Sequence, residues 1–224
     1  QTELFWQVGG LNPACDGSQD HDLFLRLSEK TTPVHIPKVL YFWRVHAAST
    51  ASGTEAKPYV AEAAKRAVTE HLKRIGAKGT VKDGLFPSTY RVQYEIEGDP
   101  LVSILIPNKD HIDDLSKLIS GLYEKTRGVR FEVIVIENNS TQQETFDYYD
   151  TIQKEHENLR VVYYKGGFNF SAINNYGRSF AGGEYLLLLN NDMEVTDGDW
   201  LKEMLSLCVQ PGVGIVGAKL LYPD

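Results

Sequence analysis

The stretch from Tyr185 to Asp192 constrains the fold most, because four consecutive leucines run directly into three polar residues. A short apolar run of this kind is typical of a strand that is buried on both faces of a parallel sheet. In open α/β sheets, ligands bind in the crevice beyond the carboxyl ends of the strands. Asn190, Asn191 and Asp192 occupy that position. We therefore expect them to face a ligand, and the carboxylate of Asp192 suits Mg²⁺ or Mn²⁺.

Strands and helices alternate through residues 101–224. Apolar, β-prone runs predict strands at 101–106, where Pro107 stops the strand, and at 131–136, 159–163, 185–189 and 214–218. Apolar residues at helical spacing predict helices at 115–122, 142–156, 171–181 and 200–208. Because the strands are apolar on both faces, the pattern predicts an α/β fold, a mostly parallel sheet with helices on both faces.

Residues 1–100 follow a different pattern. We expect residues 1–50 to form a small α+β segment, with a helix at Asp20–Glu29 and a short strand at Val39–Arg44. We expect residues 51–100 to form a helical connector that begins near Pro58 and a half-exposed strand at Tyr90–Ile96. The connector helix has one apolar stripe, formed by Val60, Ala64, Ala67, His71 and Ile75.

Composition excludes several classes of protein. A net charge of −7 argues against a nucleic-acid or anionic-membrane surface, so we expect no nucleic-acid partner. No apolar run approaches the roughly 18 to 20 residues that cross a bilayer, so we expect no transmembrane segment in this chain. Cys15 and Cys208 lack a CxxC spacing and are typical of reduced thiols in a cytoplasmic protein. We expect the protein in the cytoplasm or at the inner face of the membrane.

Three polar clusters follow three of the predicted strands. They are Pro107-Asn108-Lys109-Asp110, Glu137-Asn138-Asn139-Ser140 and Asn190-Asn191-Asp192. In a parallel sheet all three lie at one edge, and together they suit a polyol ligand whose phosphates are bridged by a metal. The alternative is that these residues only form turns and cap helices.

Missing motifs argue strongly against two other nucleotide-binding classes. A nicotinamide-binding domain requires GxGxxG directly after the first strand, where this chain has Pro107-Asn108-Lys109-Asp110. The GxxxxGK[ST] motif of P-loop proteins is also absent.

The same clusters, together with Asn174-Asn175-Tyr176-Gly177, resemble the donor half of family 2 glycosyltransferases, which implies a GT-A-type fold over roughly residues 101–224. By that resemblance Asn190-Asn191-Asp192 stands in the DxD position and Asp192 holds Mn²⁺ or Mg²⁺. Asn190 replaces the first aspartate, which should weaken metal affinity, and Asn174 stands where many relatives have arginine. The residues expected to bind the nucleotide sugar are Pro107, Asn108, Asp110, Glu137, Asn138, Ser140, Asn174, Asn175, Asn190 and Asn191.

The first fifty residues resemble the acceptor side of the same family. In Gly17-Ser18-Gln19-Asp20-His21-Asp22-Leu23, Asp20 matches the catalytic base, while Gln19 replaces the usual neighbouring carboxylate. The alternative for Asp20 is a helix N-cap. The segment from Ile36 to His46 resembles the closing strand, in which His46 reaches the metal or the diphosphate; the alternative is a structural histidine.

The order of the segments is unusual, because family members place the donor half before the acceptor half. The chain starts at Gln1, so we expect a fragment that holds the end of one module (1–50), a connector (51–100) and the donor half of a second module (101–224). A second account is that residues 1–50 complete residues 101–224, within the chain or by swapping between chains.

The resemblance implies metal-dependent, inverting transfer of a sugar from a UDP- or dTDP-type donor to a glycan acceptor, in cell-surface polysaccharide synthesis. We expect this chain alone to transfer weakly or not at all. The alternative is a non-catalytic module that binds a nucleotide or a partner. An oxidoreductase is a third possibility, for which we expect no nicotinamide binding.

Overall fold

The structure is a computed structural model that describes residues 1–42 and 58–221. The chain divides into two compact units, Gln1–Glu95 and Ile96–Asp224. The helices are α1 Thr2–Gln7, α2 Gln19–Ser28, α3 Pro58–Ile75, α4 Ile112–Lys125, α5 Gln143–Glu155, α6 Phe170–Arg178 and α7 Trp200–Cys208, with a 3₁₀ turn at Pro13–Cys15. The strands are β1 Gly79–Asp83, β2 Tyr90–Tyr94, β3 Leu101–Asn108, β4 Arg130–Glu137, β5 Leu159–Tyr163 and β6 Tyr185–Leu188.

The second unit contains a four-stranded sheet in the order β5-β4-β3-β6. All three pairs of neighbouring strands are parallel. Helices alternate with these strands along the chain. The predicted α/β class is therefore confirmed.

Helices cover both faces of this sheet. On one face, Ile104 and Ile106 of β3 join a buried cluster with α4, α5 and α7, in which Leu118 is fully buried. On the other face, Leu105 and Ile136 pack with Ile173 of α6. This two-sided burial follows from the period of two along a strand, which sends successive side chains to opposite faces.

Strand β3 continues through Pro107 to Asn108, so the expectation that Pro107 stops the strand is wrong. Leu189 donates its N–H to the carbonyl of Leu105, so the backbone N–H and C=O groups of Leu105 point toward β6. The backbone of Pro107, two residues later, points the same way, but the pairing with β6 ends at Leu105 and Leu188. The missing N–H of proline therefore removes no hydrogen bond from the sheet.

Strand β6 differs from the expectation of a fully buried strand. Leu186 is 44% exposed and Leu188 is 54% exposed, whereas Leu187 packs against the buried cluster on the first face. The difference arises because β6 lies at the edge of the sheet, and α6 contacts β3 and β4 on the other face.

Two other predicted strands are not observed. Residues 214–218 form no strand and are mostly exposed, so that prediction is wrong. Residues 39–42 are likewise not in a strand, and the rest of the predicted strand, Trp43 and Arg44, lies outside the described residues. Both runs contain β-prone residues, but in the described parts of the chain neither lies beside a strand with which its backbone could form hydrogen bonds.

In the first unit, the predicted helices at 20–29 and 58–75 are observed as α2 and α3, which pack against each other. The predicted apolar stripe of α3 is buried at Ala64 and Ala67. At its far end His71 instead bonds to Glu29 at 2.7 Å, and Ile75 is 52% exposed. The strand predicted at Tyr90–Ile96 is observed as β2, but its burial does not alternate, because Val92, Gln93 and Tyr94 are all half-buried. Strand β2 pairs with β1 in an antiparallel hairpin, which was not predicted.

Two further properties concern the cysteines and the helices. Cys15 and Cys208 are both free thiols. Within residues 1–42 and 58–221, every helix is too short or too polar to cross a membrane.

Glu132 holds the turn between α6 and β6 against the sheet. Its carboxylate accepts hydrogen bonds from the Ser103 hydroxyl and the Gly182 N–H, both at 2.6 Å, and pairs with Arg160 at 2.8 Å. Burial raises the pKa of this carboxyl, but the hydrogen bonds from Ser103 and Gly182 and the charge of Arg160 outweigh burial and hold the pKa below its usual value.

We expect Glu132→Gln to lower the free energy of unfolding at neutral pH by about 1 kcal/mol, because one charge-assisted acceptor is lost. Since the pKa is lowered by folding, the carboxylate stabilises the fold fully above its unfolded value of about 4.5 and loses that contribution as the pH falls through the folded value. The difference between the two proteins in urea unfolding should therefore begin to shrink below about pH 4.5 and disappear below the folded pKa. Glu124→Gln, at an exposed position of α4, is the control, and a gap for Glu132→Gln that stays constant in acid would contradict this role.

Candidate functional site

Polar residues from three strands meet at the carboxyl edge of the parallel sheet. Asn108 at the end of β3 lies opposite Glu137 at the end of β4. The loop after β6 joins them, because Nδ2 of Asn191 donates to Oδ1 of Asn108 at 2.7 Å. We call this edge the rim. The prediction that the three polar clusters lie at one edge is confirmed for these three residues.

Tyr149 of α5 connects the residues of the rim. Its hydroxyl donates to Oε2 of Glu137 at 2.8 Å and accepts a hydrogen bond from Nδ2 of Asn108 at 2.8 Å. Ser140 adds two more donors to Glu137, its backbone N–H and its hydroxyl. We call Asn108, Glu137, Ser140, Tyr149 and Asn191 the rim network.

Tyr149 was not among the site residues predicted from the sequence. The signal was available, because Thr145, Tyr149 and Ile152 are the buried residues of α5 and follow helical spacing. A tyrosine at the centre of a buried stripe normally finds a hydrogen-bond partner for its hydroxyl. Burial raises the pKa of Tyr149 above the usual tyrosine range, and the neighbouring Glu137 carboxylate adds to that increase. The hydroxyl therefore keeps its proton and remains a donor at physiological pH.

Asn108 and Glu137 are each only 3% exposed, so the network is largely closed to solvent. The carboxylate of Glu137 is already engaged by Ser140 and Tyr149. Pro107 and Ser140 are half-buried beside them. The contact of Pro107, Asn108 and Glu137 with a nucleoside stays a prediction.

Asp110 links the loop after β3 to the start of α5. Its Oδ1 accepts the backbone N–H groups of Thr141 and Gln142, at 2.9 and 3.0 Å, and its own N–H donates to the Ser140 hydroxyl. Burial raises the pKa of Asp110, but the hydrogen bonds from Gln142 and Thr141 outweigh burial and lower it. The structure thus gives Asp110 a role in fixing two loops, and a contact with the nucleotide sugar stays a prediction.

The remaining asparagines of the clusters have different environments. Asn138 is buried and donates to the carbonyls of Tyr164 and Gly166, so it ties β4 to the loop after β5. Asn174 is also buried and donates to the Phe170 carbonyl within α6. Asn175 lies on the exposed side of the same helix. Of these three, Asn175 is open to solvent, and ligand contacts of all three stay predictions.

The residues in the DxD position are open to solvent. Asn190 and Asp192 are exposed and Asn191 is half-buried. Within the described residues, no group of three His, Cys, Asp or Glu side chains could hold a metal ion by itself. His46, the other expected metal ligand, lies outside the described residues. A single exposed carboxylate fits a Mg²⁺ or Mn²⁺ ion that takes its other ligands from substrate phosphates and water.

In the first unit, Asp20 is exposed on the first turn of α2, and its Oδ1 accepts the N–H of His21 at 2.9 Å. Ser18 occupies the N-cap position, so the alternative that Asp20 is the cap is wrong. Gln19 accepts the Gly17 N–H at 2.8 Å and is engaged in the preceding turn. Asp20 is therefore not the N-cap residue, but its carboxylate satisfies one first-turn N–H of α2 and is accessible to solvent.

Asp22, buried two residues later, pairs with Arg26 of the same helix. The Arg26 guanidinium also donates to the carbonyls of Val8 and Gly10. This pair fixes the loop after α1, a role that was not predicted from the sequence.

The amino-acid sequence matches a family model and two known proteins. A family model described as glycosyl transferase family 2 matches residues 103–223, more than half of the chain. The O-antigen biosynthesis protein RfbC of Myxococcus xanthus is 44% identical over 223 residues, which are 99% of this chain and 17% of that protein. The uncharacterized protein y4gI of Sinorhizobium fredii is 41% identical over 225 residues, 99% of this chain and 25% of that protein.

This chain therefore spans a quarter or less of the length of these relatives. Among solved structures, a mannosyltransferase from Pyrobaculum calidifontis in complex with GDP-Man and Mn²⁺ is 18% identical, with a TM-score of 0.47 over 70% of this chain and 43% of that one. The family match covers β3 through α7 almost completely, including every residue of the rim network. The chain belongs to glycosyl transferase family 2.

Proposed function

We propose that residues 101–224 form the nucleotide-sugar-binding half of a glycosyltransferase module. The observation that carries the proposal is the rim network, which joins the ends of β3 and β4 to the loop after β6 within the region that the family model matches. Lys109 and Lys165 are exposed in the loops that follow β3 and β5, and such cations suit a diphosphate. The donor is a UDP- or dTDP-sugar.

Within this proposal, Asp192 holds Mn²⁺ or Mg²⁺ together with the diphosphate, and Asn190 contributes a neutral oxygen. The ion would act as a Lewis acid that neutralises the leaving diphosphate. Asn191 is held beside Asp192 by its bond to Asn108. The protein therefore supplies one fixed amide and one carboxylate next to each other at the rim.

The parent protein, on this proposal, transfers a sugar to a glycan acceptor in cell-surface polysaccharide synthesis. The support is the 44% identity to RfbC, an O-antigen biosynthesis protein, over almost the whole chain. Residues 1–50 are then the acceptor-side end of one module and residues 51–100 the connector. The division into compact units at Glu95 and Ile96, close to the start of the donor half, supports that arrangement.

Titration calorimetry of the chain with UDP, with and without Mn²⁺, tests the donor site. We expect UDP to bind in the presence of Mn²⁺ and Mn²⁺ alone to bind too weakly to detect, because the described residues offer no complete cation site. A titration with dTDP then distinguishes the two donor types. Absence of heat with both nucleotides in the presence of Mn²⁺ would refute the proposal.

Asp20 is the proposed general base of the acceptor side, since it is an exposed carboxylate on the first turn of α2. A carboxylate that takes the proton of the acceptor hydroxyl, with no covalent intermediate, leads to inversion at the anomeric carbon. In the full-length parent protein, Asp20→Asn should lower the transfer rate at least about a hundredfold, within the usual range for general bases. His21→Asn is the control, and unchanged transfer by Asp20→Asn would show that Asp20 is not the general base.

A further inference from the structure

Tyr149 is fully buried, yet it touches both Asn108 and Glu137. A hydroxyl that a ligand cannot reach can still act on the ligand through its neighbours. Asn108 continues the connection, because its Oδ1 accepts from Nδ2 of Asn191 at 2.7 Å. The four residues form one chain of hydrogen bonds from Glu137 to Asn191.

The bond between Tyr149 and Glu137 determines which group donates in each of the other hydrogen bonds of the series. The carboxylate of Glu137 can only accept, so the Tyr149 hydroxyl must donate to it. The hydroxyl then offers a lone pair to Asn108, which must present its NH₂ group. Asn108 also donates to the Asp110 carbonyl at 2.8 Å, so both hydrogens of its amide are used. Its carbonyl oxygen is left for Asn191, which must donate in turn.

We propose that Tyr149 is a positioning residue that fixes the orientation of the Asn191 amide at the rim. With its NH₂ group held by Asn108, Asn191 keeps its carbonyl oxygen, beside Asp192, for the donor nucleotide or its divalent ion. This inference rests on the proposed donor site. A residue of α5, Tyr149, thus orients a side chain in the loop after β6, that of Asn191.

Removing the Tyr149 hydroxyl should allow the Asn191 amide to leave this orientation. Without it, Nδ2 of Asn108 loses an acceptor and Glu137 loses a donor, while Ser140 still holds Glu137. Only the Asp110 carbonyl then favours the present orientation of the Asn108 amide, so arrangements in which the amides of Asn108 and Asn191 are rotated by half a turn become more populated. A rotated Asn191 presents NH₂ where an oxygen is needed.

A double-mutant cycle on the whole chain tests this coupling, with the affinity for UDP in the presence of Mn²⁺ as the measured quantity. We expect Tyr149→Phe to weaken binding about tenfold, the effect of one lost hydrogen bond in a buried network. Tyr148→Phe, which removes a hydroxyl from the neighbouring residue of α5, is the matched control and should change affinity less than about twofold. In an Asn191→Ala background, Tyr149→Phe should have no further effect, because the residue through which it acts is gone.

Each outcome distinguishes the two proposals. If the wild type binds neither UDP nor dTDP with Mn²⁺, the proposed function fails, and this inference fails with it. If the wild type binds but Tyr149→Phe equals Tyr148→Phe, only the inference is overturned. Additive effects of Tyr149→Phe and Asn191→Ala also overturn it, because a purely structural tyrosine would act independently of Asn191.

A second pair of variants does not depend on the folding of Tyr149→Phe. Aspartate has the shape of asparagine but cannot donate to Oδ1 of Asn108. Asn191→Asp should therefore weaken binding of UDP with Mn²⁺ several-fold, although it adds a negative charge near the ion. Asn190→Asp adds the same charge at an exposed residue outside the rim network and should strengthen binding. Stronger binding by Asn191→Asp would overturn the inference.

Discussion

Asp192→Ala should lower the affinity for UDP about a hundredfold in the presence of Mn²⁺ and leave the affinity without Mn²⁺ unchanged. The physical reason is that Asp192 is an exposed carboxylate in the loop after β6, beside the amide that Asn108 holds. A divalent ion that joins one carboxylate to a diphosphate contributes several kcal/mol, and about 2.7 kcal/mol corresponds to a hundredfold change in affinity. Titration calorimetry with UDP at saturating Mn²⁺ and in EDTA measures both affinities.

Two carboxylates in the same loop provide controls for this result. Glu194 and Asp197 are exposed like Asp192. Glu194 lies 3.9 Å from the Lys125 ammonium, and Asp197 accepts the N–H of Asp199 at 2.8 Å. Neither reaches the rim network, so Glu194→Ala and Asp197→Ala should each change UDP affinity less than about threefold. Equal losses for all three variants would show a general effect of loop charge and would contradict a specific role for Asp192.

The opposite change should have the opposite sign. Asn190→Asp supplies a second carboxylate two residues before Asp192, and hard cations prefer charged oxygen ligands. We therefore expect its Mn²⁺-dependent affinity for UDP to exceed that of the wild type by about tenfold, and Mn²⁺ alone to become detectable. A neutral Asn190→Ala variant should show neither gain.

The second unit could be predicted from the sequence wherever a local pattern decides the structure. Helix α4 follows from the spacing of its apolar residues, and its Leu115, Leu118 and Leu122 are fully buried. The rim could be predicted as well, because parallel strands place their carboxyl ends at one edge. This rule brought Asn108 and Glu137 together without any knowledge of side-chain contacts.

The errors arise where the answer depends on distant parts of the chain. Four leucines in β6 show that a strand forms, but whether a helix covers Leu186 and Leu188 depends on where α6 packs. Residues 214–218 have a strand-like composition, yet a strand needs a partner to form its hydrogen bonds. Tyr149 contacts Asn108 across 41 residues of sequence, which no local spacing indicates.

Substitution of one glycine in α4 and one in α6 tests how closely these helices pack against the sheet and the loop after β6. A methyl group added at Gly177 of α6 would lie 2.4 Å from Cδ1 and 2.7 Å from Cγ1 of Ile136. Ile136 is fully buried in β4, and its β-branched side chain has few alternative rotamers. A methyl group added at Gly121 of α4 would meet Val195 at 3.5 Å, an ordinary contact distance. Both positions are buried and helical, so the same substitution should have opposite effects.

Gly177→Ala should lower the free energy of unfolding by about 2 kcal/mol, because the cost of overpacking exceeds the gain in helix propensity. Gly121→Ala should raise it by about 0.5 to 1 kcal/mol, since the helix gains propensity and no neighbour must move. Urea unfolding of both variants measures the difference, which we expect to be about 3 kcal/mol. Because Gly177 lies one turn after Asn174 and seats α6 against the end of β4, Gly177→Ala should also weaken UDP binding, whereas Gly121→Ala should not. Equal stabilities of the two variants would mean that α6 packs against Ile136 more loosely than these distances require.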